Sequence, residues 1–202
     1  ISGTSASAPF VSAASSLILS KQNFTNEEIK QILKSTSDDI GESGWDLRSG
    51  AGRLNLFKAL SVTAPSIIKF NFPTQDFATL GNNVAINATV LSPYFTNYSL
   101  EVGKGFNPTE WESLISNAQN QFANLEIFDL DVSSYVDTVY TLRLIVNQTN
   151  GRTLEERINF HIDRTSPLAD LVSVIPAYYG DKTTVLAAMY TNEPCVVRMF
   201  YR

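Results

Sequence analysis

The spacing of apolar residues changes once along the chain, and the part before the change predicts helices in succession. Apolar and small residues run almost all round the helix that residues 10–19 would form, as in a buried helix. Thr25, with Glu28 three positions later, has the pattern of a capping box, and Ile29 and Ile32 give the next helix an apolar stripe. Asn55 is placed to cap a short final helix, after which the helical signal ends near residue 61.

Alternating apolar and polar residues then predict a series of strands. Pro65 excludes helix where this part begins, and the residues after it become β-branched and alternating. Leu142 and Leu144 share one face of a strand, and the turn NQTNG joins that strand to the next one as a hairpin. Short strands at this spacing imply a sandwich of antiparallel sheets. The strands are expected at residues 84–91, 98–102, 122–128, 138–146 and 153–162.

The segment DRTSP separates this sandwich from a last group of alternating residues. Further strands are expected there at residues 172–175, 184–190 and 196–201. They are too few to close a second sandwich, so we expect an incomplete β module that is marginal alone or pairs with another chain. The predicted fold class is therefore mainly β, with helices first, then an antiparallel sandwich, then the start of a further β module. The predicted domains are residues 1–63, 64–165 and 166–202.

The composition is that of a globular protein, and it excludes several classes of function. With 44% hydrophobic residues in 202, the chain can bury one good core or two small ones. The net charge is −5 and the Lys and Arg residues are scattered, so we expect no nucleic-acid partner. No apolar run approaches the roughly 20 residues that span a bilayer. The start of the chain shows neither a signal peptide nor an initiator Met, so we expect it to be cut from a longer protein.

The single cysteine, the single histidine and one acidic cluster are weak candidates for chemistry. Cys195 has no cysteine partner and is interpreted as a packed small hydrophobe. His161 alternates with apolar neighbours on the polar face of a strand, where a solvated role is favoured over that of a catalytic base. Asp129, Asp131 and Asp137 could supply oxygen ligands to calcium, but they lack the glycine-punctuated spacing of a known loop. No metal site is predicted.

The opening run ISGTSASAP places small residues, a serine and a proline before the first apolar helix. Gly3 suits a tight turn, and Pro9 is expected in the first helical turn, where proline is tolerated. Ser5 would then lie where unpaired amides and the helix dipole favour an anion. A serine nucleophile needs a base for its proton and hydrogen-bond donors for the oxyanion, so a helix start supplies half of this requirement. The alternative is a Ser/Ala-rich helix cap without a catalytic role.

The run resembles the end of the catalytic domain of subtilisin-like serine peptidases, where the pattern is Gly-Thr-Ser-x-Ala/Ser-x-Pro. The residues that match this pattern are Gly3, Thr4, Ser5, Ser7 and Pro9. A second match, to the closing pattern of the same domain, is formed by Gly50, Gly52, Leu54, Asn55 and Ala59. The resemblance covers about residues 1–62, and Phe10 departs from it where many members carry His.

The resemblance implies that Ser5 is the nucleophile of a triad in the order Asp, His, Ser. The residues that it implies for the helix N-terminus and the approach of substrate are Gly3, Thr4, Ala6 and Pro9. The Asp, the His and the oxyanion-hole Asn would come from upstream, so we expect this chain alone to be inactive and its parent to hydrolyse proteins or peptides. No cofactor is expected in this chain, although calcium is possible in the parent. The helices are expected to pack on the sandwich, on the missing part of the peptidase domain or on another copy.

The stretch YSLEVGKGFNPTEW resembles a pattern of bacterial immunoglobulin-like or fibronectin type III-like extracellular modules, over about residues 66–165. Trp45 and Trp111 are interpreted as core or interface aromatics, and Asp38 as a polar residue at the exit of the second helix. Two functions of different class follow. One is a secreted or surface-exposed bacterial subtilisin-like endopeptidase with accessory sandwich modules. The other is a non-enzymatic adhesive or structural surface protein in which the serine motif is a relic.

Overall fold

The computed structural model describes residues 3–42 and 44–192. The chain forms two compact units, Ile1–Asp163 and Arg164–Arg202. The fold is mainly β with antiparallel sheets, as the sequence predicts. The predicted boundaries of the three domains stay a prediction. Cys195 and the last predicted strand lie outside the described residues.

Three helices open the described part of the first unit, and the starts of the second and third are capped as predicted. They are α1 (Thr4–Lys21), α2 (Asn26–Thr36) and α3 (Leu56–Leu60). The Glu28 amide donates to the Thr25 hydroxyl at 3.3 Å, and the Thr25 amide donates to the Glu28 carboxylate at 2.7 Å. Asn55 Oδ1 accepts from the amide of Lys58 at 3.0 Å. Each cap satisfies an amide that the first turn of a helix leaves without an intrahelical partner.

Helix α1 differs from the expectation in two ways. Pro9 lies in the second turn of the helix rather than in the first, and it has no N–H to donate to the Ser5 carbonyl. The apolar pattern predicts a buried helix, yet only Ala14 and Ile18 of α1 are buried, and Phe10 is 70% exposed. This chain therefore leaves most of an apolar helix uncovered. None of the helices in the described part of the chain is long and apolar enough to cross a bilayer.

The sandwich follows the helices and consists of two sheets. Its strands in the described part of the unit are β1 (Ile67–Phe72), β2 (Phe77–Thr79), β3 (Asn83–Leu91), β4 (Phe95–Lys104), β5 (Glu112–Ala118), β6 (Phe122–Asp131), β7 (Thr138–Gln148) and β8 (Thr153–Ile162). One sheet has the order β1-β3-β6 and the other the order β2-β8-β7-β4-β5. Neighbouring strands are antiparallel except β2 with β8. The sequence did not predict β2, which is three residues long, or β5, which shows no clear alternation of burial.

The two sheets pack face to face around an apolar core. Ile86 comes from the first sheet, Leu142 and Phe160 come from the second, and all three lie in one buried cluster. The predicted hairpin of β7 and β8 is confirmed, with Leu142 opposite Ile158. His161 lies on the outward, half-buried side of β8, as the alternation predicts.

A buried polar network fixes the linker to the sandwich. Gln148 Nε2 donates to the hydroxyls of Ser66 at 3.0 Å and of Ser92 at 2.8 Å. The Ser66 hydroxyl also donates to that of Ser92 at 2.9 Å. Because satisfied polar groups in a core specify one arrangement, the network fixes the direction in which the chain enters β1.

The described part of the second unit is an antiparallel hairpin of β9 (Ala169–Tyr179) and β10 (Lys182–Thr191). Leu168 and Asn192 close its open end, since the Leu168 amide donates to Asn192 Oδ1 at 2.7 Å. Tyr178 and several other large apolar side chains of the hairpin are exposed. A single hairpin is marginally stable in water, so this hairpin is expected to be marginal by itself.

Candidate functional site

Ser5 lies in the first turn of α1 with its side chain exposed. Gly3 is the N-cap residue, with φ 121° and ψ 160°, a conformation that residues with a β-carbon rarely adopt. No side chain of the described chain caps this helix, and the Ala6 amide donates to the Gly3 carbonyl at 3.0 Å. The structure thus brings the predicted Gly3, Thr4, Ser5 and Ala6 together at one helix start. Free amides and the positive end of a helix dipole favour an anion at such a position.

The groups that would activate Ser5 are not found near it in residues 3–42 and 44–192. The Ser5 hydroxyl makes no hydrogen bond with any of these residues. The single histidine, His161, belongs to β8, where its Nε2 lies 3.8 Å from Asp76 Oδ1 and its ring centroid lies 6.2 Å from that of Phe106. A serine without a base is a weak nucleophile. In the described residues, the candidate site therefore consists of an exposed serine and a helix N-terminus.

Residues of the second sequence motif, GAGRLN, contact Asp38. Asp38 and Arg53 exchange two backbone hydrogen bonds of 2.8 Å. The Asp38 carboxylate accepts from Lys58 Nζ at 2.6 Å and from Asn55 Nδ2 at 3.1 Å. Gly52 has φ 107°, and a β-carbon there would lie 2.3 Å from the Asp38 carbonyl oxygen. The motif glycine is needed for this close approach, and Asp38, whose role the sequence did not reveal, ties the exit of α2 to the start of α3.

The acidic residues considered for calcium have other partners. Asp129 accepts from Asn83 Nδ2 at 3.0 Å, and Asp131 accepts from the Ser133 amide at 2.8 Å. Hydrogen bonds from the Ser133 side chain and amide hold the pKa of the Asp131 carboxyl below its ordinary value. Asp137 lies just before β7. In the part of the chain that the structure describes, no group of three or more His, Cys, Asp or Glu side chains is arranged to hold a metal ion.

An apolar groove of about 560 Å³ lies between α1 and the turn that contains Gly52. Its lining includes Ser7, Phe10, Val11, Leu33 and Leu54. Phe10 and Val11 are also among the exposed large hydrophobic residues of the chain. The groove continues the uncovered surface of α1.

The strand order and pairing define the class of this protein: a helical segment followed by an antiparallel sandwich of the immunoglobulin or fibronectin III-like kind. Residues 1–52 match the model of the subtilase family, Peptidase_S8. This match contains Ser5 and both motif glycines, and it supports a subtilase-related origin of the N-terminal segment. The match ends at residue 52, so the resemblance of residues 53–62 stays a prediction. No curated protein matches the chain.

Several solved structures resemble the chain at low identity. An endo-β-1,4-mannanase from Thermotoga petrophila has 16% identity and a TM-score of 0.38, over 62% of this chain and 30% of that chain. Fibronectin(III)-like modules of Clostridium thermocellum CbhA have 14% identity and a TM-score of 0.32, over 50% of this chain and 99% of that chain. CopC from Methylosinus trichosporium OB3b has 14% identity and a TM-score of 0.31, over 48% of this chain and 93% of that chain. These likenesses concern the fold alone, and this chain spans less than a third of the mannanase.

Replacing Gly52 by Ala is expected to destabilise the first unit more than replacing Gly44 by Ala. Both glycines have positive φ, 107° and 91°, so both substitutions strain the backbone, but only at Gly52 does the new β-carbon overlap a backbone atom. We expect the free energy of unfolding to fall by about 1 kcal/mol for Gly44→Ala and by about 3 kcal/mol for Gly52→Ala. Urea unfolding followed by tryptophan fluorescence measures both, and equal losses would show that the overlap is unimportant.

The stability of the first unit is expected to depend on pH through Asp38. Hydrogen bonds from Lys58 and Asn55 hold the pKa of the Asp38 carboxyl below its ordinary value. A carboxyl with a lower pKa in the folded state stabilises fully above its unfolded pKa of about 3.9, and this contribution is lost as the pH falls through the folded pKa. Asp38→Asn should therefore lower the Tm at pH 7, and its difference from the unchanged chain should shrink as the pH falls below about 4.

Thermal unfolding across this pH range measures the effect, with Asp181→Asn in the exposed hairpin turn as the control. A difference between Asp38→Asn and the unchanged chain that stays constant with pH would contradict the role given to the Asp38 charge.

Proposed function

We propose that this chain is the C-terminal part of the catalytic domain of a subtilisin-like serine endopeptidase, followed by accessory sandwich modules. The observation that carries the proposal is the position of Ser5: it is exposed in the first turn of α1, within the segment that matches the subtilase family model. The small residues Gly3 and Ala6 beside it leave room for a substrate backbone to approach.

The proposed chemistry is acyl transfer from a peptide bond. A base takes the Ser5 proton while Ser5 Oγ bonds to the carbonyl carbon, and the amides at the start of α1 stabilise the negative charge that develops on the carbonyl oxygen. The C–N bond then breaks, the amine leaves with a proton, and water hydrolyses the acyl-enzyme. The substrates are proteins and peptides.

The base and the remaining oxyanion donor are proposed to come from the rest of the peptidase domain, which would also cover α1. A helix that is apolar on all sides is typical of a protein core, whereas Phe10, Val11, Leu17 and Leu19 of α1 are exposed here. Covering this surface would bring the missing groups to the helix that carries Ser5. The chain by itself is therefore proposed to be inactive.

We propose that the protein is located outside the cell. The support for secretion, or for a bacterial cell surface, is the resemblance of residues 66–165 to extracellular modules. Partners other than substrates are proposed only as the rest of the peptidase domain or a second copy that covers α1.

Replacing Ser5 by Ala in the full-length protein is expected to abolish hydrolysis of a denatured protein substrate and labelling by a fluorophosphonate, since the nucleophile is lost. Ser7→Ala is the matched control, because Ser7 is also exposed on α1 and the family pattern accepts Ala at this place. We expect the rate of the control to stay within about threefold of the unchanged protein.

If the folded full-length protein is inactive with Ser5 in place, the motif is a relic and the adhesive or structural function becomes the better account. The isolated 202-residue chain should neither turn over substrate nor take up the label. Labelling of this chain at the rate of an intact homologue would overturn the proposed need for upstream groups.

A further inference from the structure

Glu156 occupies a position of β8 that faces the interior of the sandwich. It lies directly opposite Leu144, which is fully buried, and residues directly opposite in an antiparallel pair share a face of the sheet. Its side chain is only 12% exposed. A carboxylate in such a place is costly unless it is paired and hydrogen-bonded.

The partners of Glu156 all come from one face of α2. Lys30 Nζ lies 2.7 Å from Glu156 Oε1, and Lys34 Nζ lies 2.5 Å from Glu156 Oε2. Gln31 Nε2 donates to the same carboxylate at 3.4 Å and to the buried carbonyl of Ile68 in β1 at 2.8 Å. The helix therefore contacts a strand of each sheet.

Helix α2 also covers strand edges that the sandwich leaves open. Strand β2 pairs with β8 only at residues 160–162, so β8 has no strand partner on that side at Glu156. Lys34 Nζ donates to the Glu155 carbonyl at 2.8 Å, and Arg152 Nη1 donates to the Ser35 carbonyl at 3.2 Å. The Lys34 side chain of α2 thus satisfies a backbone group of β8, and the side chain of Arg152, just before β8, satisfies one of α2, as expected where a helix covers a sheet edge.

The loop after α2 contacts the outer face of the same strand. The guanidinium carbon of Arg157 lies 4.1 Å from the centroid of the Trp45 ring and 5.2 Å from that of Trp111. Arg143, which is directly opposite Arg157 in β7, lies 3.9 Å from the Trp111 centroid. Arg157 thus contacts two aromatic rings, and the neighbouring Arg143 contacts one of them. Trp45 therefore contacts the outward side of β8, while α2 binds its open edge and its inward-facing Glu156.

We infer that the sandwich holds the helical segment, residues 3–42 and 44–62, in one fixed orientation, with Glu156 as its anchor and α2 as the element that it binds. Fixing α2 also fixes α1, because Ile18 of α1 packs in one buried cluster with Ile32 of α2 and Ala59 of α3. The sandwich is thus a support for the helix start at Ser5 and not a module on a flexible tether. The inference that Glu156 orients α2 does not rest on the proposed function. Only the consequence for catalysis at Ser5 rests on it.

The test is amide hydrogen exchange on the 202-residue chain with Glu156→Gln, which keeps the shape of the side chain and removes its charge. Amides of α2 are expected to exchange about tenfold faster or more, because two charged hydrogen bonds to the helix are weakened, while the central strands β3 and β7 keep their protection. Glu126→Gln, on the exposed side of β6, is the matched control and should leave the exchange of α2 unchanged.

Unchanged exchange of α2 in Glu156→Gln would overturn the inference. If Glu156→Gln unfolds the whole unit, the same measurement on Lys34→Met tests the inference. This substitution removes the Lys34 hydrogen bond to Glu156 from the helix side and leaves the sandwich sequence unchanged. Faster exchange confined to α1 and α2 in that variant supports the anchor, and exchange as in the unchanged chain rejects it. The measurement needs no enzymatic activity, so a failed peptidase assay and a failed anchor remain separate results.

Discussion

The structure depends on one carboxylate, Glu156, that points toward the inside of the sandwich. With α2 in place the Glu156 side chain is only 12% exposed, and the residue opposite it in the sheet is Leu144 rather than a cation, so its charge is costly unless the helix pairs with it. Lys30, Lys34 and Gln31 come from one helix face and donate to both oxygens of the carboxylate, so the buried charge binds the helix to the sandwich. The pairing of Glu156 therefore links the sandwich to the helix that precedes it.

The helical segment has one surface that is bound to the sandwich and another that is exposed. One surface is bound to the sandwich through α2 and Trp45, and the polar network around Ser66 fixes the linker between them. The other surface is the apolar side of α1, where Phe10 stands in solvent. A helix of this composition becomes stable by packing rather than by propensity, so the uncovered side is where further protein is most favourable. Ser5 lies in the first turn of this helix, next to the uncovered side, whereas His161 lies in a strand of the sandwich.

The sequence predicted those elements whose signals are local. The capping box at Thr25 and the alternation through Leu144 report contacts within a few residues or one hairpin, and both appear in the structure. The exposure of α1 could not be read from its composition, because burial depends on which protein surrounds a helix. Glu156 had a visible signal: three charged residues in a row interrupt the alternation of β8. Only the fold shows that the middle one faces inward, and that Gly52 is needed for the approach to Asp38.

The candidate site also has one part that the nearby sequence determines and one part that depends on distant residues. A serine at a helix start is encoded locally, because the residues around Ser5 build both the turn and the free amides. Activation of that serine is not local, since a base must come from a distant part of a fold, and His161 is held in a sandwich strand beside Asp76. The support of Ser5 and the chemistry of Ser5 therefore have different origins. The sandwich holds the helix segment in place, and in the proposed peptidase the groups that activate Ser5 come from the part of the domain that covers α1.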